Sequence, residues 1–248
     1  MGKLALIGGH SILGSEPAEG FERRDVETAD GPVAVHERNG VLLLQRHGFD
    51  EYTTAARIDH ARNLAALREL GCDRILGISS VGGLKPDLGV GTFVCPDDFI
   101  ALHLGLSLST AHGGERVPGF DLGWRAAVIE TWADVGAPPL RDGGVYWQAI
   151  GPRFETPAEI RFIAPHADVI GMTAASECIL AGEVGIPYAT VCVVDNLANG
   201  VAGSELSVAD FEAGKERNRV LLLDALDRVG AALEAVGVSA ASGARAGA

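Results

Sequence analysis

Residues 167–194 read "ADVIGMTAASECILAGEVGIPYATVCVV". An apolar run stands at each end, with a helix-period segment between them. "ADVIG" (167–171) and "YATVCVV" (188–194) have the length and β-branched content of buried strands, and 174–184 has the pattern of a helix. The same alternation extends outward. "KLALI" (3–7), "VLLLQ" (41–45), "RILGI" (74–78) and "VYWQAI" (145–150) read as further strands. Helices are predicted over 54–70, 122–135, 157–164 and 207–235. In the first of these Ala55, Ile58, Ala61, Leu64 and Leu67 share one stripe, with Gly71 as the stop. Ser207, with Asp210 three residues on, is an N-cap pattern for the last. This alternation predicts an α/β fold: a single domain over 1–236 with a central mixed β-sheet flanked by helices. The polar stretch 105–121 is expected to be an exposed loop, and the small, polar tail 237–248 to be disordered.

Composition narrows the function classes. The 248 residues are 47% hydrophobic and 21% charged, the balance of an ordinary globular protein. A formal charge of −13 argues against a nucleic-acid or anionic-membrane surface, which needs excess Lys and Arg. It leaves room for a small anion held by a few local donors. Cys72, Cys95, Cys178 and Cys192 are widely spaced without a CxxC pair. They are expected to be reduced, packed thiols of a cytoplasmic protein, with no metal site. The opening "MGKLALIGGH" is too short for a signal peptide or a membrane span and reads as a buried first strand.

In α/β sheets ligands collect beyond the carboxyl ends of strands, and four such ends carry unusual residues. "LIGGHSILGS" (6–15) is a glycine-rich turn whose backbone N–H groups suit phosphate oxygens, with His10 or Ser11 as an added donor. "QRHG" (45–48) sets Arg46 beside His47, a cationic pair suited to an oxyanion. "GISSVGGL" (77–84) adds the hydroxyls of Ser79 and Ser80. In "AIGPRFETPAEIRF" (149–162) Gly-Pro breaks the strand and Thr156-Pro157 starts the next helix. Phe154 beside Glu155 suits a planar polar heterocycle, the ring stacking and the carboxylate accepting an N–H.

Taken in order, "LIGGH", "QRHG", "ISSVGGL" with "GVGTFVCPDDFI", "GPRFETPAEIR" and the stretch quoted at the outset resemble the trimeric purine nucleoside phosphorylase family, especially its methylthioadenosine phosphorylase branch. The likeness covers nearly the whole chain. It implies cleavage of a purine nucleoside by inorganic phosphate, a co-substrate, without metal or organic cofactor. It also implies a homotrimer, or a hexamer, with sites near subunit interfaces, where the 105–121 loop of a neighbour is a candidate cover for the sugar. By position it assigns phosphate to Arg46, His47, Ser80 and Thr173, with Ser79 in addition. It puts Met172 under the ribose, Phe154 against the base and Asn196 as the base reader. The family carries Ser or Thr after the two glycines, where this chain has His10 and then Ser11, so the resemblance leaves that contact to either.

Adenine-specific members have Asp at the position of Asn196 and a second Asp where this chain has Ala198. An amide can offer its carbonyl to a protonated N7 and its NH₂ to O6, and Glu155 can accept N1–H; both fit a 6-oxopurine. Val208 stands near the place of the His that meets a 5′-hydroxyl, with Phe211 one turn on, which suits a 5′-methylthio group. The expected substrate is therefore 5′-methylthioinosine, then inosine or guanosine. A methylthioadenosine phosphorylase and a non-catalytic nucleoside-binding trimer are the alternatives. In "VVDNLANG" (193–200), Asp195 is expected to brace the turn and Asn196 to face the purine.

Overall fold

The computed structural model describes residues 2–12, 14–15, 20–108 and 115–236; the predicted tail 237–248 lies outside them. Among the described residues eleven strands are formed: β1 (Lys3–Gly8), β2 (Glu22–Thr28), β3 (Gly31–Arg38), β4 (Val41–Gln45), β5 (Cys72–Gly83), β6 (Phe93–Cys95), β7 (Asp98–Ile100), β8 (Leu140–Asp142), β9 (Val145–Gln148), β10 (Val169–Gly171) and β11 (Tyr188–Leu197). Five α-helices accompany them: α1 (His60–Glu69), α2 (Leu122–Asp134), α3 (Pro157–Ile163), α4 (Ala174–Glu183) and α5 (Val208–Ala235).

All the strands join one mixed sheet whose hub is β5. This strand pairs in parallel with β1 and β11, and its last two residues turn antiparallel onto β10. Both faces are covered, which is why β1 reads as an unbroken apolar run. Period-two alternation then sorts its side chains. Leu4 and Leu6 pack with Trp124, Val128 and Trp132 of α2 and Leu222, Val229 and Leu233 of α5. Ala5 and Ile7 face the opposite way, with Leu64 and Leu67 of α1 and Leu180 of α4. Each fully buried Leu, Ile or Val contributes roughly 1.5–3 kcal/mol relative to exposure.

Three expectations shift. The helix predicted over 54–70 begins only at His60. Asp59 accepts a hydrogen bond from the Arg62 amide at 2.9 Å and caps it, leaving Ala55–Arg57 as a separate 3-10 turn. Strand β5 does not stop at 78. Ser79–Gly83 continue it by pairing with β11, so the two serines alternate across a strand instead of following its end. The β2–β3 hairpin, with Val26, Val33 and Val35 buried, was not anticipated. Of the predicted 105–121 loop, the described residues 105–108 and 115–121 carry no helix or strand, although Phe120 is buried.

Candidate active site

A cavity of about 310 Å³ opens at the carboxyl ends of the strands. Its floor comes from the end of β10: Ile170, Gly171, Met172 and Thr173. Thr173 is the N-cap of α4 but makes no capping bond with its side chain, so its hydroxyl remains available to the cavity. The adjoining amides of Thr173 and Ala174 already donate to the Tyr146 hydroxyl, at 3.1 and 3.3 Å.

The side wall comes from β11. Val194 pairs with Val81 but Asn196 with Gly82, so Asp195 is the extra residue of a β-bulge. The bulge sends neighbouring side chains to different places. Asn196 lines the cavity, its Nδ2 donating to the Leu197 carbonyl at 2.9 Å. That leaves its carbonyl oxygen and one N–H for a ligand. Asp195 is fully buried instead, and it accepts from Ser80, from Ser11 at 3.3 Å and from Asn218 of α5 at 2.8 Å. Burial pushes its carboxyl pKa up, and these three donors pull it back. A close approach of α5 makes this possible. A Cβ on Gly214 would sit 1.7 Å from the Asp195 carbonyl oxygen, so only glycine fits.

Opposite Asn196, the chain after β9 carries Phe154 and Glu155 into the cavity. Thr156 and Glu159 close a capping box at the start of α3, with Pro157 in its first turn, which fixes where this segment ends. The Gly151–Pro152 peptide is cis. Burial raises the Glu155 pKa, opposed by its own backbone N–H. Phe154 meets Phe211 of α5 edge-on at 5.6 Å, and Phe211 meets His10 at 5.7 Å. His10 in turn lies 4.6 Å from His47, which stacks on Tyr52 at 5.3 Å. A continuous arc of rings thus walls the cavity from the base side to the strand ends.

Arg46, His47, Ser80 and Thr173 converge at the inner corner. Arg46 is almost wholly committed to the protein. Its Nε and Nη2 grip Glu177 at 2.6 and 3.1 Å, while Nη1 and Nη2 donate to the carbonyls of Ile78 and Ile7 at 2.7 and 3.1 Å. Of five guanidinium N–H groups, one remains. Burial pushes the His47 pKa down to about 3, and burial likewise lowers that of His10.

Two expected contacts fall elsewhere. Ser11 is fully buried and turned to Asp195, so His10 is the residue of that turn that reaches the cavity. Ser79, on the other face of β5 from Ser80, meets Thr190 at 3.3 Å and is likewise absent from the lining. Met172, Val208 and Phe211 do line the cavity; Val208 is no core residue, being 67% exposed at the mouth. Tyr52, Leu206 and Glu212 are lining residues that sequence reasoning missed, as it missed the buried partners Glu177 and Asn218. Asn218 could have been found, because it interrupts the apolar stripe Leu222, Ala225, Val229 with one amide.

A deep corner rich in hydroxyls, an amide-and-carboxylate slot and a ring-lined wall between them can hold an oxyanion and a heterocycle on either side of a sugar. The sequence of residues 15–230 matches the model of the Phosphorylase superfamily. The chain belongs to that superfamily. Its relatives within the phosphorylases include a probable 6-oxopurine nucleoside phosphorylase of Archaeoglobus fulgidus, 34% identical over 224 residues, covering 88% of this chain and 92% of that one. A probable S-methyl-5′-thioinosine phosphorylase of Methanocaldococcus jannaschii is 33% identical over 236 residues, covering 88% of each. Among solved structures, methylthioadenosine phosphorylase from Schistosoma mansoni in complex with adenine shares the phosphorylase fold, with a TM-score of 0.80, 96% of this chain and 93% of that chain covered, and 21% identity. No described helix is long and apolar enough to cross a membrane, and no cluster of three or more potential metal ligands occurs among the described residues.

Proposed function

We propose that this phosphorylase cleaves the N-glycosidic bond of 6-oxopurine nucleosides with inorganic phosphate, and that 5′-methylthioinosine is its preferred substrate. The observation that carries the base assignment is Asn196 in the cavity wall beside buried Ala198. The free amide groups of Asn196 complement O6 and the N7 proton that the leaving purine takes up, and Glu155 across the cavity complements N1–H. Adenine would set its N1 lone pair against a carboxylate and find no acid at Ala198 for its amino group. The relatives named for 6-oxopurine and methylthioinosine substrates support the same reading. For the sugar, Leu206, Val208 and Phe211 at the mouth suit a methylthio group.

In this reading phosphate occupies the corner of His10, His47, Ser80, Thr173 and the last N–H of Arg46. The C1′–N9 bond lengthens first, giving an oxocarbenium-like sugar over Met172. Negative charge growing on the purine is met by Asn196, a contact that strengthens in the transition state. The protein acts as a homotrimer in the cytoplasm. Exposed Ile150 and Phe162 (61 and 67%) support an oligomer, for in sequence they flank the segment that carries Glu155. The test is phosphate-dependent turnover of methylthioinosine, inosine and methylthioadenosine side by side. A preference for the adenine compound overturns the base assignment, and turnover without phosphate overturns the reaction.

A further inference from the structure

Two side chains at the inner corner present lone pairs to the cavity. His47 Nδ1 lies 2.7 Å from the Thr53 carbonyl. A carbonyl only accepts, so Nδ1 carries the proton and Nε2 of the neutral ring keeps its lone pair. Ser80 spends its hydroxyl proton on Asp195, where Ser11 and Asn218 also donate. Three donors converging on two oxygens mark an ionised carboxylate. The Ser80 oxygen therefore faces the cavity as an acceptor.

Among the described residues the charges around this corner offer no compensation for a doubly charged ligand. Arg46 is paired with Glu177 and Lys215 with Glu212. His10 and His60 are held toward the neutral form by burial. Two cations (Arg46, Lys215) thus stand against three carboxylates (Glu177, Glu212, Asp195).

We propose that the corner takes phosphate as its dihydrogen monoanion, one P–O–H donating to His47 Nε2 and the other to Ser80 Oγ, with Asp195 as the positioning residue that sets this preference. This inference rests on the phosphorolytic reading above. The reaction balances: a phosphate oxygen bonds to C1′ as the C1′–N9 bond breaks, and that electron pair leaves with the purine. One acid proton stays on the sugar phosphate and the other ends on the purine, so one negative charge stands on each side.

Calorimetric titration of the full-length protein with inorganic phosphate, in buffers of different ionisation enthalpy, tests this directly. On the alkaline side of the second ionisation of phosphate, binding should take up about one proton. The KM for total phosphate should rise about tenfold per pH unit there, while the KM for nucleoside stays flat. Sulfate, a dianion without a proton, should compete poorly. In Asp195→Asn the amide can donate to Ser80 and free its hydroxyl proton. Proton uptake should then fall and sulfate should compete about tenfold better. Ser80→Ala, which removes one acceptor and leaves Asp195 in place, should also lower the uptake. Phosphate binding without proton uptake, or strong sulfate competition in the unaltered protein, overturns the proposal even if phosphorolysis is observed. Proton uptake in a protein that turns over no nucleoside overturns the reaction and leaves the proposal standing.

Discussion

Replacing Glu177 by Gln isolates the ion pair on which the inner corner is built. The side chains of Arg46 and Glu177 are 1% and 6% exposed, so neither recovers hydration when its partner is lost. Glu177 also accepts from the Tyr188 hydroxyl at 2.7 Å, and a neutral amide cannot satisfy three donors on two oxygens. Breaking a buried pair from one side costs about 3–5 kcal/mol. For a chain of this size each kcal/mol moves the midpoint by about 2–4 °C, so Glu177→Gln should melt about 6–20 °C below the unaltered protein. The assay is thermal unfolding followed by circular dichroism, repeated in urea to check that the m-value is unchanged. Arg153→Gln is the control, since its pair with Glu159 is 66% and 41% exposed, solvent-screened, and should leave the midpoint nearly unchanged. A second check is Arg46→Met with Glu177→Leu, which removes both charges and should recover much of the loss. A Glu177→Gln protein melting within about 2 °C of the parent would refute the reasoning, placing Arg46 free in the cavity.

Asn196→Asp should move the ratio of kcat/KM for adenine over 6-oxopurine nucleosides upward by about tenfold or more, read in parallel assays; an unmoved ratio removes Asn196 as base reader. Gly214→Ala should lower the urea midpoint, with a loss of at least about 1–3 kcal/mol, because its methyl group overlaps the Asp195 carbonyl. His47 titrates near 6.5 when unfolded and at about 3 when folded, so in that window the unfolded chain binds the extra proton and the His47 contribution to stability falls as pH drops. His10 and His60, also lowered, act in the same sense, whereas the raised carboxylates of Asp195 and Glu155 act in the opposite one. His47→Gln should therefore lose less stability than the parent between neutrality and about pH 5, measured by urea midpoint.

Strands buried on both faces were legible because an unbroken run such as "VLLLQ" has few other uses, and β4 occupies the predicted residues. The helix starts at Thr156 and Ser207 were legible for local reasons, a Thr-Pro pair at the first and the Ser207–Asp210 spacing at the second. Ser79 was misplaced beside Ser80 because two adjacent hydroxyls past a strand end look equally available. Only pairing with β11, a strand more than a hundred residues away, shows that they face opposite ways. The β2–β3 hairpin was missed because its outward residues are largely charged and only three valines turn inward. Most lining residues could be named from strand ends and from resemblance. The partners that immobilise them could not, since Glu177 and Asn218 act through contacts 131 and 23 residues distant in sequence.

The extra residue in β11 makes the site depend on strand length as well as on side-chain identity. Asp195 and Asn196 differ by one position, yet one is turned to a helix and the other to the cavity. Removing that extra residue would restore simple alternation with Asn196 still opposite Gly82, and it would take away the shared acceptor of Ser11, Ser80 and Asn218. The base reader would stay in place while the hydroxyl corner beside it changed. A lineage, or an engineer, can retune one end of this site by changing the length of a strand instead of its chemistry.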